Sequence, residues 1–175
     1  KLVLSDSQAD VQKVGQIIRD LVSQANVGSK NVAVNLPSNK VFTTVIDFDK
    51  LPAAELGKVI KYQADIIMPT PLAESKLEWA AIGDSPKEPG KLEVLVSSVP
   101  NSFVEKRLDL LESIGLNVIA FEPDNLALPR ALIAPGTTAP QLIIDIGHIS
   151  TDIMIVMNDV PRLTRSIPVG MDALV

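Results

Sequence analysis

In the run LIIDIGHISTDIMIV, residues 142–156, an apolar strand carries Asp145 to its end, Gly147 opens a turn, and Ser150 and Thr151 follow at short spacing. Residues of these types in this order suit phosphate chemistry. Glycine lets the main chain approach an anion closely, and successive backbone N–H groups with short hydroxyl side chains offset oxygen charge. A carboxylate at Asp145 suits water-mediated contact with a nucleotide-bound Mg²⁺, because that ion keeps most of its waters and takes few protein carboxylates. The same spacing, Asp-x-Gly-x-x-x-Thr, also fits an ordinary hairpin whose aspartate bonds to its own backbone.

Other chemistries are poorly supplied. His148 is the single histidine and the chain has no cysteine, so a transition-metal cluster built on those ligands has no donors, and no disulfide can form. His148 reads as a turn residue, exposed or touching phosphate, rather than as a general base. Asp6, Asp10, Asp20, Glu55, Glu74, Glu78, Glu105 and Glu112 read as solvated helix and strand faces. Glu122-Pro123-Asp124-Asn125 reads as a strand-to-helix corner in which Asp124 or Asn125 caps the helix. Arg165 has a structural place in its strand. For Trp79, beside the Pro69–Pro71 kink, a core position and a peptide-docking rim are equally open. No residue is assigned as catalytic.

The elements that must position the turn follow from periodicity. Val11, Val14, Ile17, Ile18, Leu21 and Val22 recur at helical spacing, with Asn26-Val27-Gly28 as the stop. Two short β-branched runs, residues 31–36 and 41–46, flank Pro37-Ser38-Asn39-Lys40, which has hairpin composition. A helix over 52–67 has Pro52 at its first turn, and strands over 75–82 and 91–97 surround a loop with Pro86, Pro89 and two glycines. Ser102 and Glu105 have capping-box spacing, with Asn101 as an alternative cap, for a helix running to Gly115. A strand over 117–121, a helix from about Pro123 to Ile133 and a linker over 134–140 lead to three β runs read as a meander, with turns at Gly147-His148 and Asn158-Asp159.

Composition sets limits on function. The chain has 175 residues, 46% hydrophobic and 21% charged, with a formal net charge of -5, as expected of a folded domain rather than a disordered tail. An acidic chain without a dense basic patch argues against nucleic-acid binding. No apolar run approaches the roughly 20 residues that span a bilayer, and the N-terminus has no signal-peptide pattern.

The segment LIIDIGHISTDIMIVMNDVPRLTRSIPVGMDAL resembles the second phosphate-binding segment of actin-like ATPases, in the version found in the PilM family of type IV pilus assembly proteins. VFTTVIDFDKLPAAELGKVIKYQADIIMPTPLAESKLEW is similar to the small subdomain inserted in that family and, in outline, in the division protein FtsA. PNSFVEKRLDLLESIGLNVIAFEPDNLALPRAL is similar to its return helix and Glu-Pro segment. His148, where the family usually has a small residue, and Met171, where it usually has a second glycine, depart from the pattern.

The resemblance implies an α/β fold of the actin-like ATPase (ribonuclease H-like) type with an inserted strand-helix-strand-strand (SHS2-type) subdomain. Its expected divisions are a helix of the first large subdomain over 1–30, the insertion over 31–98, return helices and linker over 99–140, and the start of the second large subdomain over 141–175. It also implies an internal portion of a longer protein, consistent with a first residue that is not Met. Implied cofactors are ATP and Mg²⁺ in the complete protein. Asp145, Gly147, His148, Ser150 and Thr151 face the nucleotide, and Asp145 meets the metal through water. The implied role is a cytoplasmic scaffold of a type IV pilus or related secretion machine. It would hold the cytoplasmic tail of a PilN-like inner-membrane protein, reach the membrane only through that partner, and have scope to self-associate. Hydrolysis is expected to be weak or absent, since no base stands poised beside a nucleophile. A true ATP hydrolase and an FtsA-like protein that polymerises at the membrane are the alternatives.

Overall fold

Ser7 Oγ accepts a hydrogen bond from the Asp10 backbone N–H at 3.2 Å, satisfying one of the free donors at a helix start and fixing where α1, Gln8–Gln24, begins. The structure is a computed structural model that describes residues 7–173. The readings placed on the first residues, Asp6 and the last two residues lie outside the described residues.

The chain forms two units. One comprises the chain up to Asn35 together with Ser102–Glu122, and the other Leu36–Asn101 with the chain from Pro123. In the first unit, α1 packs on α3, Asn101–Ser113, where Gly15 is buried. A β-carbon on Gly15 would sit 3.1 Å from Ile114 and 3.2 Å from Leu110, so its missing side chain is what permits this approach. The apolar stripe of α1 is used in part: Val11, Val14, Ile18 and Val22 are half-buried, whereas Ile17 and Leu21 are exposed. β1, Asn31–Leu36, pairs with β5, Asn117–Pro123. Gly115, at φ 84°, ends α3 in the left-handed region that glycine tolerates.

The pairing of β1 with β5 corrects one expectation. The Pro37–Lys40 connection is not a hairpin: it is a short 3-10 turn over Ser38–Lys40 that carries the chain from one sheet into another. Its composition satisfies a local turn equally well in either case, and only distant partners decide between them. The α3 start also differs, because the helix opens at Asn101 directly after β4. Ser102 therefore lies within the first turn rather than ahead of it.

In the second unit, β2 (Phe42–Asp49), β4 (Lys91–Pro100) and β3 (Ser75–Asp84) form an antiparallel sheet in the order β2-β4-β3, with α2, Ala53–Ile67, across one face. Alternation sorts the residues. Phe48, Val94 and Val96 point to α2 and meet Leu56, Ile60 and Ala64, all buried, with Trp79 and Leu77 packed against them. Trp79 is half-buried, packed against this core on one side and accessible on the other. The opposite face carries Thr43, Asp47, Glu93 and Ser97, and Thr43 and Ser97 hydroxyls lie 3.2 Å apart.

α4, Asp124–Leu132, begins one residue after Pro123 and keeps Pro129 inside. Asn125 is buried and its Oδ1 accepts from Thr43 Oγ1 at 3.5 Å, so it ties α4 to β2 rather than capping the helix. β6 (Gln141–Ile146), β7 (Thr151–Met157) and β8 (Val160–Ile167) make the expected antiparallel meander. Asn158 and Asp159, both at positive φ (53° and 62°), form its two-residue β7–β8 turn. The inner face of the meander buries Asp152, Met154 and Val156, and β8 lies against β2 and the 3-10 turn. No helix among the described residues is long and apolar enough to cross a membrane.

Candidate functional site

β6 ends at Ile146, and the chain turns through residues 147–150 before β7 begins at Thr151. Three backbone carbonyls of this turn are occupied. Gly147 N–H donates to Ser150 O at 2.9 Å, Met171 N–H to Gly147 O at 2.9 Å, and Asp172 N–H to His148 O at 3.0 Å. The N–H groups of His148, Ile149 and Ser150 donate to no group among the described residues. A turn with its carbonyls bound and three successive N–H groups free is a concentration of positive dipole ends, the polarity an anion requires.

Glycines shape this turn. A β-carbon on Gly147 would lie 3.0 Å from Ser150 O, and one on Gly170 would lie 2.5 Å from His148 O and 2.6 Å from Gly147 O. Gly170 therefore lets the segment after β8 close against the turn. Met171, the departure from the family pattern, is itself exposed and contributes its backbone N–H to the same closure.

Asp145 is half-buried near the end of β6, His148 is exposed at the turn, and Ser150 is half-buried. Thr151 opens β7, and its hydroxyl donates to Val169 O at 2.7 Å. That proton is committed, so the side chain fastens the turn to the chain after β8. Arg165 donates through Nη1 to Thr164 O at 2.9 Å and is exposed. Asp20, Glu55, Glu74, Glu78, Glu105 and Glu112 are exposed, and Asp10 is half-buried in the first turn of α1.

Residues not singled out by sequence extend the site. Asp152 lies directly opposite Asp145 on the β6–β7 ladder and opposite Ser166 on the β7–β8 ladder, so the three side chains form one row on the inner face. Asp152 is 6% exposed. Its Oδ1, Ser166 Oγ and Ser38 Oγ are each buried with no hydrogen-bond partner. All three residues line one cavity of about 250 Å³, with Thr43 and Thr164 beside them. Buried polar atoms are rarely left unpaired, and carboxylates placed opposite one another repel. Asp152 is the one carboxylate lining this cavity, with Asp145 beside it on the ladder and outside the lining, and Arg165 lines it too. The free oxygens of Asp152, Ser166 and Ser38 could accept from the water shell of a divalent ion. The signal was present in the sequence: Asp152 occupies an inward position of the alternating run TDIMIV.

Comparisons with known proteins agree with this architecture. The sequence model of the family described as "Type IV pilus assembly protein PilM" matches residues 1–173. Among solved structures, the chain is similar to the PilM-PilN type IV pilus biogenesis complex, with a TM-score of 0.80 and 22% identity over 94% of this chain and 50% of that one. It is also similar to the cytoplasmic domain of EpsL, an inner membrane component of the type II secretion system of Vibrio cholerae. That match has a TM-score of 0.58 and 13% identity over 88% of this chain and 56% of that one. The chain thus spans about half the length of each. At these identities the structures establish the fold, which is mixed α/β of the actin-like ATPase type.

Proposed function

The chain belongs to the type IV pilus assembly protein PilM family, and from that premise we propose that its β6–β7 turn is the phosphate-facing wall of an ATP and Mg²⁺ site in a scaffold protein. The observation that carries this reading is the set of three free N–H groups at His148, Ile149 and Ser150. A terminal phosphate oxygen seated there would accept from main-chain donors already oriented, at no cost in rearranging them. Gly147 and Gly170 permit the close approach, and Thr151 keeps the turn attached to the segment after β8. Asp145 and Asp152 would hold the water shell of Mg²⁺, with Ser166 as a further acceptor. When bound, the ion supplies charge compensation to the phosphates. His148 stands at the mouth of the turn, where its ring borders the phosphate position.

The division of the chain follows the same proposal. The β2-α2-β3-β4 segment corresponds to the inserted SHS2-type subdomain expected over 31–98. The meander corresponds to the start of the second large subdomain over 141–175. The remaining parts, over 1–30 and 99–140, belong with the flanking elements. A complete nucleotide cleft needs further segments of the complete protein.

The partner we propose is the cytoplasmic tail of a PilN-like inner-membrane protein. The support is the similarity to a complex described as PilM with PilN, together with family membership. The scaffold would then sit on the cytoplasmic face of the inner membrane through that tail. Nucleotide acts here as a structural ligand, because the site presents carboxylates and dipoles but no nucleophile and base in mutual reach.

Equilibrium binding of ATP to the complete protein, with Mg²⁺ and with a chelator, tests the reading. Binding that depends on Mg²⁺ and loses that dependence in Asp145→Ala is the expected result. Equal affinity of both proteins for Mg-ATP would remove Asp145 from the site.

A further inference from the structure

The inserted sheet and the meander are joined by a buried ion pair. Glu93, on β4, is 2% exposed, and its Oε2 accepts from Arg162 Nη1 on β8 at 2.5 Å. Regular alternation does not place this arginine. The β7–β8 register slips between Ile155 and Val156, so Ile155 faces Leu163 while Val156 faces Pro161, and Arg162 is the extra residue of a bulge. A bulge re-aims the side chain it carries. This one points at the face of the inserted sheet that α2 leaves uncovered.

The acceptor side holds more than one partner. Asp47 stands directly opposite Glu93 on the β2–β4 ladder, hence on the same face. Asp47 Oδ1 is buried with no hydrogen-bond partner, and so is Arg162 Nε. Across the sheet the row continues to Gly83 on β3, where a β-carbon would meet nothing within 4 Å. Lys91, on the same strand and face as Glu93, is paired with Glu88 at 2.5 Å. The Arg162 guanidinium thus bonds Glu93 and keeps an unused donor, while Asp47, the ladder neighbour of Glu93, keeps an unused acceptor. Because a guanidinium offers five donors in a fixed fork, a rearrangement that bridges Glu93 and Asp47 would satisfy both unused groups.

At its other end β8 leads into the turn region. Thr151 is bonded to Val169, Gly147 to Met171 and His148 to Asp172. From Arg162 to the end of β8 at Ile167 is roughly 16 Å of extended chain at about 3.3 Å per residue, and the chain just beyond that end is bonded to the turn. Strand and ladder transmit displacement because neither stretches.

We infer that β8 is a strut coupling the β6–β7 turn to the inserted sheet, with Arg162 as its switch between pairing Glu93 alone and bridging Glu93 and Asp47. Coupling of this kind requires an element with two arrangements that both sites bias, and the Glu93-only and bridged forms of Arg162 would be those two. The inference rests on the proposed nucleotide site only for what acts on the turn in the cell.

Hydrogen–deuterium exchange on the complete protein tests the strut, using two separate perturbations of the turn: Mg-ATP, and Thr151→Val without nucleotide. In the otherwise unchanged protein, Thr151→Val alters exchange at the turn and at residues 91–96 of β4, and Mg-ATP does the same. In Arg162→Met the turn still responds while the β4 response is lost, and Glu93→Gln, which keeps size and one acceptor, reproduces that loss if Arg162→Met fails to fold. A β4 response undiminished in these variants overturns the inference, as does a β4 segment insensitive to Thr151→Val. If Thr151→Val is transmitted but Mg-ATP leaves the turn unchanged, the nucleotide reading fails and the strut stands.

Discussion

Gly170 and the His148 carbonyl are so close that a β-carbon at position 170 would lie 2.5 Å from that oxygen. The segment after β8 is closed onto the turn by this contact, and the hydrogen bond from Asp172 N–H to His148 O follows from it. Gly170→Ala should force backbone to move, since overpacking a tight site costs about 1–3 kcal/mol. Chemical denaturation should show a loss of that size, and nucleotide affinity should fall in parallel because the free N–H groups lose their alignment. Unchanged stability would mean that the turn is looser than its geometry requires.

Asp152 should act on the metal rather than on the phosphates. Asp152→Asn keeps size but removes the charge from an oxygen buried without a partner. Loss of an outer-shell group of this kind lowers metal affinity by roughly 10- to 100-fold. Titration of Mg²⁺ at fixed ATP should show the metal requirement move to higher concentration, with metal-free ATP binding unaffected. Identical Mg²⁺ curves would remove Asp152 from the site.

The β2-β4-β3 sheet should depend on a single aliphatic layer. Ile60, on α2, is fully buried in one cluster with Phe48, Val94 and Val96. Truncating Ile60→Ala should cost about 2–5 kcal/mol, measured as a shift in the urea midpoint reported by Trp79 fluorescence. A change below 1 kcal/mol, about the smallest seen for a buried methylene, would contradict the assigned core.

The outer face of the meander should bind apolar probes. Leu142, Ile144 and Ile146 on β6 are 62%, 54% and 55% exposed, beside exposed Ile155, Leu163 and Ile167. An apolar face of this extent is unusual on a free surface. The 175-residue polypeptide should therefore enhance the fluorescence of a dye such as ANS, and Leu142→Glu with Ile144→Glu should abolish most of the enhancement. Weak dye binding in the unmodified polypeptide would show the face to be covered in solution.

Much of this was legible in the sequence because it depends on local chemistry. The 3.6-residue stripes located α1, α2 and α3, and the Asn158-Asp159 pair located the tight β7–β8 turn, since both residues tolerate positive φ. Gly147 and the strands around it identified the meander. What escaped depends on distant partners. The Pro37–Lys40 connection has hairpin composition, yet β1 pairs with β5, more than 80 residues later in the chain, and no local pattern encodes that choice. Asn125 gave up the cap position to bond Thr43. The Glu93–Arg162 pair was invisible because a one-residue bulge aims the arginine, and the partner lies 69 residues away. Gly170 closes the turn only through its approach to His148, which no local pattern encodes.

A phosphate received by the N–H groups of His148, Ile149 and Ser150 would act on those amides before any other. Backbone amide chemical shifts of these three residues in the complete, isotopically labelled protein, followed as a non-hydrolysable ATP analogue with Mg²⁺ is added, measure it directly. Saturable shifts at all three amides are expected, greatly reduced in Asp145→Ala at the same concentrations. Saturable binding of the analogue with these amides unmoved would contradict that placement.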